Sequence, residues 1–190
     1  MRRWALFLGL FVAAAVAGLV IWHQTNRVHF VQTLCEAGLP NLSRPSEVDA
    51  DVLGCAVLGP KRRVEGFAEA AFEQSSIVIG DRYDVEEGGF FRNETAWYEG
   101  GWGDATLPES PETCWLSIVR ISVEGWMTET PDGFGHLDMW PKAFFAGRVF
   151  GIGQVTPEDV ADFTPEMRKQ ACIWGGEQGW VSLAATQPAS

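Results

Sequence analysis

Residues 115–127, WLSIVRISVEGWM, restrict this chain more than any other stretch. They alternate. Trp115, Val119, Ile121, Val123 and Met127 share one parity; Leu116, Ile118, Arg120, Ser122, Glu124 and Trp126 share the other. Period-two alternation rich in β-branched and aromatic residues is the signature of a strand. The first face is apolar and points to a core. The second turns polar at Arg120, so its later half is expected to meet water. Gly125 interrupts the run, where a bulge or sharp bend is expected. A strand this long in a small domain bends, as the strands of small barrels do. Thr130-Pro131-Asp132-Gly133 then forms a turn: Pro presets φ, Asp bonds the local backbone and Gly accepts positive φ.

The other strands arrange themselves around this one. Residues 64–73 alternate, with Val64, Gly66, Ala68, Ala70 and Phe72 set against Glu65, Glu69 and Glu73. Gln74-Ser75-Ser76 reads as the turn to a short strand over 77–79, which completes a hairpin. Thr95-Ala96-Trp97-Tyr98 reads as a short strand, and so does the glycine-rich run 144–155. Two more pieces, 173–174 and 180–183, flank a glycine loop. Short helices are expected on either side of this β-region. One covers 28–38, and a second covers 47–53 with Ser46 as its cap. Two more begin at Thr156-Pro157 and Thr164-Pro165, each a capping Thr before a Pro at the first helical position.

The first segment of the chain has another character. Arg2 and Arg3 precede residues 4–22, nineteen residues without a charge and with Trp4 and Trp22 at the ends. At ~1.5 Å per residue this length is just enough to cross a hydrocarbon core of ~30 Å. Interfacial tryptophans and the two arginines orient it with the rest of the chain outside. Ala15-Val16-Ala17 matches a signal-peptidase site, but the apolar run continues past it through Trp22, so an uncleaved signal-anchor is expected. The lipid bilayer is therefore the first expected partner, and the location that follows is the bacterial inner membrane, single-pass, with the C-terminal domain in the periplasm.

Cys35, Cys55, Cys114 and Cys172 fit export. An even count in an oxidising compartment reads as disulfides, and no C-x2-C pair or suitably spaced His points to zinc. Of three possible connectivities the preferred one is Cys35–Cys55 with Cys114–Cys172, since the first pair closes a short segment ahead of the core. Net charge is −11, and beyond Arg27 all 25 acids face only 11 of the 14 basic residues, which leaves −14. Such a surface argues against nucleic acid and against flat docking on anionic lipid. Lys61-Arg62-Arg63 is the one basic cluster outside the membrane flank and reads as a solvated strand start.

Little in the chain resembles catalytic machinery. There is no G-x-S-x-G, P-loop or GxGxxG motif, and no cofactor is expected. His136 is the sole histidine beyond the first helical segment, with Asp132 and Asp138 near it in sequence. A carboxylate beside a histidine begins a general-base or metal constellation, but one His is too few for a zinc site. The expected role of His136 is to brace the turn; Asp132 and His136 are binding candidates. Trp97 and Trp102 join them, from an aromatic-rich region over 90–102 that either caps a barrel or lines a binding surface. Asn41-Leu42-Ser43 and Asn93-Glu94-Thr95 match the N-glycosylation pattern.

VEGFAEAAFEQSSI, residues 64–77, together with VEGWMTETPDGFGHL, residues 123–137, resembles small exported, membrane-anchored bacterial proteins of unassigned function. The resemblance implies a compact OB-like β-barrel and supplies no activity. The expected fold class is α+β: a small curved antiparallel sheet or barrel with short flanking helices, plus one N-terminal transmembrane helix. Its divisions are 1–27 (signal-anchor), 28–59 (helical lead-in), 60–183 (β-rich extracytoplasmic domain) and 184–190 (disordered tail). The expected function is a non-enzymatic binding or scaffold module with an envelope protein or small ligand as partner. The alternatives are a hydrolase or metal-dependent enzyme centred on His136 with Asp132 or Asp138, and an inhibitor of a basic enzyme.

Overall fold

The computed structural model describes residues 2–71, 74–85, 92–100, 111–130, 133–134 and 140–186. One helix, α1 (Arg2–Glu36), opens the chain. It ends at Gly38, whose φ of +90° few other residues adopt. There Gly38 N–H donates to Cys35 O and Leu39 N–H to Leu34 O, the paired bonds of a Schellman motif. Among the described residues no helix is long and apolar enough to cross a membrane, so the span expected over residues 4–22 gains no support from the structure. Helix α2 (Ala50–Leu53) is shorter than the sequence implied: Asp49, not Ser46, caps it by accepting from Asp51 N–H, while the Ser46 hydroxyl donates to Glu47.

Among the described residues seven strands follow: β1 (Arg62–Ala71), β2 (Gln74–Ile79), β3 (Glu94–Glu99), β4 (Leu116–Met127), β5 (Ala143–Gly153), β6 (Ala171–Trp174) and β7 (Trp180–Ser182). Five of them close on themselves in the order β1-β2-β3-β5-β4 and back to β1. The expected all-antiparallel arrangement is corrected here. β3 and β5 run parallel, as do β4 and β6. A ring with an odd number of strands cannot be antiparallel throughout, so closure itself demands a parallel pair. The long strand is the spine: one edge of β4 pairs with β1, and the other is shared between β6 at its start and β5 along the rest.

Gly125 sits at an irregularity, as its position in the strand implied, but the extra residues belong to β5. Glu124 faces Arg148 while Gly125 faces Ala146, so Gly147 is bulged; Ser122 faces Gly151 while Val123 faces Val149, so Phe150 is bulged too. Such bulges increase bending and twist, which a five-stranded ring needs.

Among the described residues three hydrophobic clusters form the core. Val64, Ala68, Ile77, Val119, Ile121 and Phe144 pack inside the ring. Phe67, Val78, Ile118, Val160, Phe163 and Leu183 form a second core on its outside, beneath the C-terminal segment. Val48, Leu53, Leu58, Trp126, Phe134 and Phe145 form the third, under the helical lead-in. Four expectations are overturned, those for Trp126 and Glu69 by these outer layers. Trp126 and Glu69 are buried rather than wet, because each faces a layer that the alternation of its own strand cannot reveal; Trp115 is exposed because it precedes β4. Gln74-Ser75-Ser76 is strand rather than turn, with Ser76 fully buried opposite Glu69.

Helix α3 (Pro165–Gln170) starts at Thr164 as expected, with the Thr164 hydroxyl accepting from Met167 N–H. The segment after Thr156 forms turns instead of a helix. The Asp159 carboxylate accepts from both Thr156 N–H and its hydroxyl, and its other oxygen meets Arg120. Both expected disulfides form, Cys35–Cys55 and Cys114–Cys172, with Cα separations of 5.5 and 5.7 Å.

Candidate functional site

Asp132, His136, Asp138 and Trp102 lie outside the described residues. Phe134 and Trp140, on either side of His136 in sequence, exchange two backbone hydrogen bonds of 3.0 and 3.2 Å. Trp97 is described. It sits in β3, half-buried against the third cluster, and its indole N–H donates to the Glu99 carboxylate. Its backbone N–H donates to Lys142 O at 2.9 Å, so Trp97 ties β3 to the approach of β5.

A buried polar group that the sequence does not expose lies in the second core. Glu69 is 2% exposed, and its carboxylate accepts from Ser76 Oγ at 2.6 Å and Tyr83 Oη at 3.2 Å. Burial raises the Glu69 pKa above the usual carboxylate value, against the opposing effect of the two hydroxyl donors. Burial, and then the nearby Glu69 charge, push the Tyr83 hydroxyl well above its ordinary value. Nearby, Arg120 binds Asp159 at 3.2 Å and lies 5.2 Å above the Phe67 ring. The cluster is sealed under the C-terminal segment, with Tyr83 N–H bonded to Asp159 O at 2.9 Å. It braces two layers against each other and offers no approach to a substrate.

Of the clefts lined by described residues, two gather acidic or paired charged groups around apolar walls. The larger, about 310 Å³, lies beside the start of β1, and its walls include Pro60, Arg62, Glu94, Met127, Glu129 and Lys142. Three chain segments bring its charges together. Glu94 gives one carboxylate oxygen to Arg62 at 2.8 Å and the other to Lys142 at 3.1 Å. Burial by itself raises Glu94, but the hydrogen bonds from Arg62 and Lys142 prevail and hold its carboxyl below the usual range. Of these residues only Arg62 was visible in the sequence as part of a cluster. Separations of 32 and 48 residues hide the convergence. The second cleft, about 220 Å³, has Glu47, Asp49 and Glu99 at its rim and Val48 and Phe145 in its wall. Hydrogen bonds from its own backbone and from Ser46 lower the pKa of Glu47.

Helix α1 is clamped beside the larger cleft. Arg27 reaches Glu129 at 3.1 Å with one guanidinium nitrogen and Leu58 O at 3.0 Å with the other. Further along, Val31 is buried and Cys35 is bonded to Cys55. Both glycosylation-pattern asparagines serve the fold instead. The Asn41 amide donates to Gly54 O and Ala56 O, and the Asn93 amide to Ile79 O and Arg82 O. Among the described residues, no three His, Cys, Asp or Glu side chains are grouped to hold a metal ion. No protein-family model matches the chain, and no curated protein or solved structure is detectably similar to it.

Proposed function

We propose that the chain is a membrane-anchored, non-enzymatic binding module of the bacterial envelope. Residues 4–22 lie in the inner membrane and the barrel lies in the periplasm. One observation carries this reading: α1 runs unbroken from Arg2 to Glu36 and is fixed to the barrel by Arg27, buried Val31 and the Cys35–Cys55 disulfide. The clamped part of the helix passes without a break into the apolar run, so residues 4–22, if retained, are held at a fixed height and orientation relative to the barrel. Two disulfides accord with an oxidising compartment.

The closed ring β1-β2-β3-β5-β4 supports the OB-like reading, and barrels of that kind bind ligands on a barrel face and in the loops beside it. The net charge beyond Arg27 disfavours the nucleic acids many such barrels take. The rim of Glu47, Asp49 and Glu99 over Val48 and Phe145 suits a cationic group on a protein or small ligand. The test is to place a photo-crosslinking residue at Val52, in the wall of that cleft, in the full chain expressed in envelopes. The expected result is a membrane fraction resistant to alkaline extraction and a reproducible adduct competed by the purified adduct partner. An anchored protein with no adduct rejects the binding role; a protein released by alkali rejects the anchor.

A further inference from the structure

The overall charge conceals a local reversal. Lys61, Arg62, Arg63, Lys142 and Arg148 all lie at one end of the barrel. Lys61 pairs with Glu124 and stands over the Trp126 ring. Arg63 and Arg148 flank the ring of Phe150, at 4.4 and 5.0 Å from its centre. Arg62 and Lys142 share Glu94. With Arg27 there are six cations, and among the described residues the carboxylates they meet are four: Glu65, Glu94, Glu124 and Glu129. Among the described residues this group of cations therefore exceeds by two the carboxylates it pairs with, on a chain whose net charge is −11. The side chains of Lys61, Arg62, Arg63 and Lys142 are each more than 40% exposed, so each retains donors for another acceptor.

Position gives the patch its meaning. Arg27 follows Trp22 by five residues, a rise of ~7.5 Å along the helix. Arg27 bonds Leu58 O and Glu129, so the barrel end carrying residues 58–63, 124–129 and 142 is the end nearest Trp22. Cys55, joined to Cys35, lies farther along the helix. If residues 4–22 span the bilayer, the cationic end stands within a Debye length of the headgroups, while the acidic rim at Glu47 and Asp49 belongs to the lead-in.

We propose that this end of the barrel binds the phosphate groups of anionic phospholipids in the bilayer that holds the anchor, and that the cleft between Arg62 and Lys142 receives one headgroup. The proposal rests on the anchored reading above. Arg62 and Lys142, both paired with Glu94, line one cleft of about 310 Å³ with Glu129 and with Met127 as an apolar wall, and their remaining donors are the groups that would meet a phosphate. Surface cations beside an anionic leaflet each strengthen association about fivefold, and salt weakens it.

The experiment uses the full chain in nanodiscs of phosphatidylcholine with about one-third phosphatidylglycerol. Native mass spectrometry counts the lipids retained on the protein. The expected result is phosphatidylglycerol retained in about fivefold excess over its share of the bilayer, lost at high salt and in R62Q/K142Q, and kept in R62K/K142R. Equal retention of the two lipids in the native chain, or an excess that survives R62Q/K142Q, overturns the proposal. A parallel titration of the detergent-solubilised chain with inorganic phosphate separates the sources: saturable binding of free phosphate that removes the lipid preference assigns the site to phosphate and overturns the lipid assignment. Failure to enter nanodiscs overturns the anchored reading and this proposal together. Entry without lipid preference overturns this proposal alone.

Discussion

Glu69 and Ser76 face each other across the β1–β2 pair, and Ser76 Oγ donates to the Glu69 carboxylate at 2.6 Å. Both are buried, 2% and 0% exposed. The sequence places each on a hydrated surface: the glutamate on a polar strand face, the serine in a turn. Their pairing lets the outer face of the ring carry a second core without stranding a polar group, since a buried acceptor without donors costs about 1–3 kcal/mol.

The buried carboxyl sets a pH dependence. Its folded pKa is raised above the unfolded value, so the native state holds its proton longer as pH rises. The contribution of Glu69 to stability is therefore complete below the unfolded pKa and is lost as pH climbs through the folded one. Glu69→Gln keeps an acceptor for Ser76 and removes the charge. The expected outcome is a variant whose thermal midpoint gains on the native chain as pH rises from the ordinary glutamate range towards the raised folded pKa. A gap that narrows over that range would refute a raised Glu69 pKa.

What alternation alone can report is one face per strand. Residues 64–70 and 116–127 therefore revealed the barrel interior, Val64, Ala68, Val119, Ile121 and Val123, because those side chains pack against other strands of the same kind. It could not reveal that Phe67, Glu69 and Trp126 on the opposite faces are covered, since their covers come from residues 155–183 and 48–58. Thr164-Pro165 was legible as a helix start because capping is local. Thr156-Pro157 carries the same signal and its cap also forms, with Thr156 and Asp159 bonded reciprocally, but the segment stops at turns because Pro165 leaves it no room to extend. The Arg62–Glu94–Lys142 cleft was invisible because its charges meet only when β1, β3 and the approach to β5 come together.

Gly125 and Gly151 share the β4–β5 ladder and differ in what surrounds them. A Cβ on Gly125 would lie 2.1 Å from Phe145 O and 2.9 Å from the Phe144 ring, while one on Gly151 meets nothing within 4 Å. Gly125→Ala forces backbone apart at the bulge and is expected to cost about 3 kcal/mol or more. Gly151→Ala is expected to change stability by under about 0.5 kcal/mol. Urea denaturation of the two variants checks the contrast; equal midpoints would refute the close approach at Gly125.

The two disulfides are expected to differ in worth. Cys114–Cys172 closes a separation of 58 residues and joins the start of β4 to β6, whereas Cys35–Cys55 closes 20. Chain-entropy estimates give about 4 and about 3 kcal/mol. C114S/C172S should thus lower stability more than C35S/C55S, as measured by denaturant midpoint under non-reducing conditions. The reverse order would show that the first pair secures more of the fold than the closing of its own loop.

Glu94 provides the opposite pH sign to Glu69 and links stability to the cationic cleft. Its folded pKa is lowered, so its stabilisation is present above the unfolded pKa and is lost as pH falls through the folded one. The pairs it makes with Arg62 and Lys142 are partly exposed, each cation by more than 40%, which limits their worth to about 0.5–1 kcal/mol after solvent screening. Glu94→Gln should therefore destabilise the protein slightly at pH 7, by an amount that shrinks as pH falls through the lowered folded pKa of the native carboxyl. It also frees two cations at once. The variant should retain more phosphatidylglycerol than the native chain, in the sense opposite to R62Q/K142Q. A destabilised variant with unchanged lipid retention would confine Glu94 to a structural role and separate the ion pairs from any recognition of phosphate.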